Sequence, residues 1–172
     1  MKRINFVATL ICIFTSCTPL QKINDETVES LDLNRYLGEW YEIARFDHIF
    51  ERDMDYNKAV YALREDGFVS VTNSGIKNGK IKKVTGVAKT TDNPALLRVS
   101  FFKPFYADYR IFYIDADYQY ALVGCGKSDY LWMLSRTPQL DDNAKNILLK
   151  EASRRGFNTD KFIWVKQTEE EK

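Results

Sequence analysis

Nucleophilic catalysis needs a Ser or Cys activated by a neighbouring base, and this sequence offers little from which to build one. Its one histidine is His48, and its three cysteines are Cys12, Cys17 and Cys125. Their positions assemble no Cys–His or Ser–His–Asp set, and Cys125 reads as a small buried hydrophobe. One histidine among scattered carboxylates makes no zinc site, and no glycine-rich phosphate loop is present. No metal or other cofactor is therefore expected. Lys plus Arg number 25 against 24 Asp plus Glu, so no basic field draws in nucleic acid. An enzyme acting on a lipid-like substrate stays open only as an alternative.

The chemistry that does stand out is at Cys17. Lys2 and Arg3 make a charged start, and Ile4 to Phe14 is an apolar run too short for a stable membrane span. Phe14-Thr15-Ser16-Cys17 then resembles the lipobox of bacterial lipoproteins, in which the cysteine becomes the lipidated first residue. Phe14 stands where that pattern usually has Leu. Thr18 after the cysteine, rather than Asp, resembles the outer-membrane pattern. The expected organisation is a signal peptide over 1–16, a lipidated N-terminus and polar tether over 17–30, a domain over 31–166 and a charged tail over 167–172. Several acyl chains on Cys17 would hold the chain on a membrane, at about 0.8 kcal/mol per buried methylene.

The elements behind these residues read as β. Aromatic residues make up 14% of the chain, which favours strands and large apolar walls. Short alternating runs cover 40–46, 57–63, 68–73, 81–88, 96–102, 108–114, 120–125 and 130–135, with Asp66-Gly67 and Asn78-Gly79 as hairpin turns. Eight antiparallel strands fit an up-and-down barrel, although a two-sheet sandwich would give a similar pattern. One helix follows, capped by Asp141 or Asp142, with Ala144, Ile147, Leu148 and Ala152 as its apolar stripe. Gly156 suits its end, and 161–165 reads as a short final strand.

Three short motifs give the pattern a family. Gly38-Glu39-Trp40 resembles the Gly-x-Trp signature at the start of the first lipocalin strand. Tyr113 to Tyr118 resembles the second lipocalin region and Leu134-Ser135-Arg136 the third. Trp40 to His48, Val99 to Phe102 with Pro104 to Tyr106, Tyr130 to Pro138 and Lys161 to Val165 further resemble the bacterial outer-membrane lipocalins, a subgroup near apolipoprotein D. The resemblance covers residues 31–165. It implies an all-β, eight-stranded antiparallel lipocalin barrel with one C-terminal helix packed outside and a short final strand. It also implies that Gly38, Trp40 and Arg136 are structural, with the guanidinium across the indole at the barrel floor. The implied activity is binding of a fatty acid or lysophospholipid in envelope lipid maintenance, on a membrane facing the periplasm.

Alternation along the strands selects the side chains that would line such a barrel. If Trp40 points inward, so do Glu42, Ala44 and Phe46. The other inward sets are Ala59, Tyr61 and Leu63; Val69 and Val71; Gly86 and Ala88; Leu97, Val99 and Phe101; Tyr109, Ile111 and Tyr113; Ala121 and Val123; and Trp132 with Leu134. A shift of register on any strand would turn its whole set outward. Of these, Ala44, Phe46, Ala59, Tyr61, Val71, Ala88, Val99, Phe101, Tyr109, Ile111, Tyr113 and Trp132 are the expected ligand contacts. Small residues among aromatics favour a cavity over a filled core, the open alternative. An acyl chain burying twelve methylenes would gain about 10 kcal/mol gross. Arg98, Arg110 or Lys103 would meet a polar head at the mouth, or stand as solvated charges. Phe101, Phe102, Phe105 and Tyr106 straddle Pro104. They leave three roles open: a membrane contact, a homodimer contact or a cover over the mouth.

Overall fold

The structure, a computed structural model, describes residues 22–167. Cys17 and the leader lie outside the described residues. Helix α1 (Leu33–Tyr36) precedes nine strands: β1 (Gly38–Phe46), β2 (Asp55–Leu63), β3 (Val69–Lys77), β4 (Lys80–Thr90), β5 (Leu96–Phe102), β6 (Phe105–Ile114), β7 (Tyr120–Gly124), β8 (Leu131–Ser135) and β9 (Phe162–Trp164). Helix α2 (Asp142–Arg154) lies between β8 and β9. All pairings are antiparallel between neighbours, and β1 bonds both β2 and β8, so eight strands close into a barrel. The upper half of β1 takes β9 in place of β2, pairing Ala44 with Trp164 and Phe46 with Phe162. Asn78 and Gly79 turn β3 into β4 with φ of 52° and 70°, as a two-residue hairpin of mirror-image twist requires.

The barrel is closed at the end where β1 begins. Asp32 caps α1 by accepting from Asn34 N and Arg35 N, and the helix lays Tyr36 across the floor beside Trp40, with ring centroids 5.1 Å apart. Trp40 Nε1 donates to Tyr36 O at 2.8 Å. Arg136 stacks 3.8 Å from the Trp40 ring. Its guanidinium donates to the carbonyls of Tyr118, Glu39, Arg35, Tyr36 and Leu37. A helix this short carries no periodic signal in the sequence.

Two apolar clusters divide the sheet's faces. The inner one gathers Tyr36, Trp40, Tyr61, Val69, Val71, Ala88, Leu97, Ile111, Ala121, Val123 and Leu134. The outer one packs Leu148 and Ala152 of α2 and Phe157 and Phe162 beyond it against Ile43, Ala44, Phe46, Phe112, Leu122, Leu131 and Met133. Asp141 caps α2, accepting from Ala144 N at 2.8 Å. Arg155 at its far end donates to Phe112 O at 2.7 Å.

The polar stretch expected as a tether is bound where it is described. Asn24 N donates to Arg155 O, Val28 N to Ile111 O, and Thr27 bonds Asn93. Ile23 reaches the outer cluster and Val28 the inner one. Two apolar residues and their backbone bonds fasten a segment that its composition marked as free.

Candidate ligand chamber

Accessibility inside the barrel changes in the same sense on several wall strands, though not on β1, where Trp40, Glu42 and Arg45 are all buried. On β2, Tyr61 is buried and Ala59, one step nearer the open end on the same face, is partly accessible. Val71 and Asn73 repeat this on β3, Leu97 and Val99 on β5, Ile111 and Tyr109 on β6, and Leu134 and Trp132 on β8. On β4 the series runs from buried Ala88 through Gly86 to exposed Val84, opposite Val69, Val71 and Asn73. The closed half is thus packed and a band above it is partly reachable by solvent, while Glu42, Arg45, Asn57 and Gly75 nearer the open end are buried. Phe101 also turns in and stays partly accessible. Glycine is required at 86, since a Cβ there would stand 2.5 Å from the Ser100 carbonyl and 2.7 Å from the Phe101 ring.

The floor of the reachable space is a trio of tyrosines. The Tyr109 hydroxyl lies 2.6 Å from that of Tyr36 and accepts from Tyr61 at 2.8 Å. Burial pushes all three upward, Tyr61 to about 12 and the other two well above the ordinary phenol value, with repulsion between phenolates adding to the rise at Tyr36 and Tyr109 and the Glu51 and Glu42 charges adding to it at Tyr61. Tyr61 and Tyr109 are expected from strand alternation, whereas Tyr36 comes from α1 and is not. An ultraviolet titration of the ten tyrosines is expected to leave this trio out of the main wave near pH ~10. They should titrate only as the fold opens, together with any late contribution from Tyr113, which burial also raises to about 12.

The other boundary is polar and comes from the β1–β2 connection. Arg45 turns inward from β1, its Nη1 donating to Glu42 Oε1 at 2.9 Å and its Nη2 to Glu51 O at 2.6 Å. Glu51 Oε2 accepts from Trp132 Nε1 at 3.1 Å and lies 2.8 Å from His48 Nε2. Asn57 and Gln167 complete the group, Gln167 Nε2 donating to the carbonyls of Glu42 and Asn57. Arg45 Nε and Asn57 Oδ1 are buried without a partner. Charge periodicity alone did not signal this network.

Burial and the nearby Glu51 carboxylate push Glu42 well above the ordinary carboxylate range, against the opposing pull of Arg45 and Asn57. Burial also opposes ionisation of Glu51, but His48, Trp132 Nε1–H and Arg45 hold it below its ordinary value. A carboxyl raised on folding keeps its proton where the unfolded chain has lost it. Its stabilisation is full below about pH 4, the unfolded value, and is lost as pH rises through the folded value. Glu42→Gln keeps an acceptor for Arg45 and removes that ionisation. Urea unfolding at a series of pH values should show a smaller decline between about pH 5 and 8 in the variant. The difference should exceed the ~0.5 kcal/mol typical of surface substitutions.

Most of the expected lining lies where alternation placed it, but three residues do not. Ala44, Phe46 and Tyr113 belong to the outer face, under or beside α2. Bulges cause this. Glu42 faces Leu134 and Ala44 faces Met133, leaving Ile43 as an extra residue in β1; Ile111 faces Val123 and Tyr113 faces Leu122, leaving Phe112 extra in β6. Arg98 and Arg110 also face outward, where both pair with Asp108 at 3.3 Å and 2.9 Å. They are surface ion pairs, not head-group contacts. Gly38, Trp40 and Arg136 sit together at the floor. Cys125 is half-buried, and burial pushes its thiol up. A surface cleft is bordered by Arg45, Asp47, Met54, Ile163 and Trp164. Among the described residues no group of three or more His, Cys, Asp or Glu side chains could hold a metal ion, and no helix is long and apolar enough to cross a membrane.

Comparisons with known proteins agree with the barrel. A family model described as a lipocalin-like domain matches residues 31–167. The outer membrane lipoprotein Blc of Citrobacter freundii is 47% identical over 165 residues, covering 93% of this chain and 92% of that protein. Mouse apolipoprotein D is 32% identical over 94% of this chain and 93% of its own length. Among solved structures, the cockroach major allergen Per a 4 superposes with a TM-score of 0.69 at 23% identity, covering 87% of this chain and 96% of that one. Lobster apocrustacyanin A1 gives a TM-score of 0.65 at 19% identity over 79% of each chain.

Proposed function

The chain belongs to the lipocalin-like family, and from that premise we propose that it is an outer-membrane lipoprotein, lipidated on Cys17 and facing the periplasm, that binds a fatty acid or lysophospholipid. The observation that carries the reading is the gradient of accessibility on the inner wall, buried at Trp40, Tyr61, Leu97 and Ile111 and reachable at Ala59, Val99, Tyr109 and Trp132. A space with that profile admits one acyl chain from the open end and stops it at the tyrosine trio. Its walls are mostly apolar, with few polar atoms to fix orientation, the usual make-up of a small-molecule site. Val71, Ala88, Phe101 and Ile111 complete the wall.

The polar head would then lie among Arg45, Glu42, Glu51 and Asn57, beneath the β1–β2 connection. This group supplies both donors and acceptors, including the unpartnered Arg45 Nε and Asn57 Oδ1. It suits a phosphodiester or carboxyl head better than the outward Arg98 and Arg110. The role in this reading is binding and storage or transfer, and burial pushes the Cys125 thiol further from ionisation.

Native mass spectrometry of the protein purified without detergent tests the reading. The expected result is a bound mass of one fatty acid or lysophospholipid per chain. A bare mass that stays bare after incubation with lysophospholipid would favour a filled barrel and overturn the proposal.

A further inference from the structure

The apolar residues that the fold leaves most exposed gather at one end. Ile49, Phe50, Ile81, Phe102 and Phe105 are between 70% and 79% exposed. Ile49 and Phe50 sit on the β1–β2 connection, Ile81 at the start of β4, and Phe102 and Phe105 at the end of β5 and start of β6, all at the open end of the barrel. Single exposed apolar residues are ordinary, but a rim of them around one opening is not.

The charges around them have a sign. The β3–β4 hairpin carries Lys77, Lys80, Lys82 and Lys83 with no acidic residue between them, and the β5–β6 turn adds Lys103. Lys77 lies 3.8 Å from exposed Asp53, and Arg52 pairs with Asp47 on the β1–β2 connection, so that connection is mixed. The closed end is the reverse: its turns and the floor helix with its cap carry Asp32, Glu65, Asp66, Asp92, Asp115, Asp117 and Asp141 against Arg35, Arg64 and Arg136. Phenylalanine and isoleucine tips interleaved with lysines match a phosphate-bearing lipid surface, with apolar tips below the headgroups and ammonium groups among them.

The position of the N-terminal segment gives a second, independent argument. The Lys22 carbonyl packs on Gly156, just beyond α2, and Asp25 lies beside Gly126 in the β7–β8 connection and 3.6 Å from Arg110. The described chain therefore begins beside the open half of the barrel. From Cys17 to Lys22 the chain spans at most about 17 Å. A leash this short, if its far end is a lipid, holds the open end nearer the leaflet than the acidic closed end.

We propose that the open end of the barrel is a membrane-docking face, seated on the leaflet that holds the anchor, with Ile49, Phe50, Ile81, Phe102 and Phe105 entering its headgroup layer. This orientation rests on the reading of Cys17 as the lipidated residue. It points the chamber mouth at the lipid surface, so that an acyl chain passes between bilayer and barrel without crossing water.

Hydrogen exchange followed by mass spectrometry, on the full lipidated protein in phosphatidylethanolamine–phosphatidylglycerol vesicles and on vesicle-free Cys17→Ser protein, tests the proposal. Slowed exchange on vesicles at residues 48–52, 80–83 and 101–106, with none at 64–68 or 115–118, is the expected result. The Phe102→Ser/Phe105→Ser pair, introduced into Cys17→Ser protein, should lower co-sedimentation with the same vesicles by about tenfold or more. Protection at the closed end, or no protection anywhere, overturns docking. Equal protection of the three segments in vesicle-free protein, with a doubled mass in sedimentation, assigns the rim to a second copy and also overturns it. Failure of the anchor reading is seen separately, as an intact mass of the membrane-extracted protein without acyl chains.

Discussion

Arg136→Ala is expected to destabilise the protein by about 1.5–3 kcal/mol, the range for hydrogen bonds made by a charged group, here a half-buried guanidinium. The guanidinium covers the Trp40 indole at 3.8 Å and bonds five backbone carbonyls drawn from α1, the start of β1 and the β6–β7 turn. It therefore ties together pieces of chain that are about a hundred residues apart, as the bonds to Arg35, Tyr36 and Leu37 show. Alanine leaves those carbonyls unpaired beside an apolar floor and opens the closed end to water. Lysine keeps the charge but not the planar fork, so Arg136→Lys should recover less than half of the loss. Urea unfolding of both variants measures this, and a loss below about 1 kcal/mol for alanine would show that the floor holds without its strap. Domains of this kind have about 5–15 kcal/mol in all, so the alanine variant should still fold at room temperature.

The floor was legible in the sequence because its residues are tied to a fixed place in the strand order: Gly38 and Trp40 open β1, and Arg136 follows β8. The strand runs were legible for a similar reason. Alternation and turn chemistry are local, and Asp66-Gly67 and Asn78-Gly79 fall between strands as expected. What failed was register. The rule that residues two apart share a face holds along β3, along β2 from Lys58 onward and along β5 up to Val99, but it breaks where a bulge adds a residue, as at Ile43 and Phe112. Both bulges bring extra apolar surface to the outside of the wall, where Leu148, Ala152 and Phe157 cover it. The apolar pairs Ile43-Ala44 and Phe112-Tyr113 interrupt simple alternation, and that was the available signal. The same bulge in β1 turns Arg45 inward toward Glu42. The polar boundary of the chamber was therefore hidden for the same reason that Ala44 and Phe46 were misplaced. Partners such as Glu51 and Gln167 come from a connection and from the far end of the chain, and no local pattern links them to β1.

Filling the chamber from one wall should separate binding from folding. Ala59 faces inward between Trp40 and Asn73, one step above Tyr61, at the level where the interior becomes accessible. An indole in place of its methyl group would occupy the path of an acyl chain just before the tyrosine trio. Excluding about four methylenes at ~0.8 kcal/mol each removes ~3 kcal/mol of binding, about a hundredfold in Kd. The expected result for Ala59→Trp is that loss, read by displacement of a fluorescent fatty acid, with thermal stability unchanged or raised. Val60→Trp, one residue along and facing outward, should bind as the unaltered protein does and controls for the bulk of the ring. The two outcomes are distinguishable because a packed interior answers differently. Inserting an indole into a filled core forces neighbours off their rotamers and costs about 1–3 kcal/mol. Stability that falls while binding is unaffected would mean that the space above Tyr109 is closed by side chains, and that lipid, if bound at all, lies outside the wall.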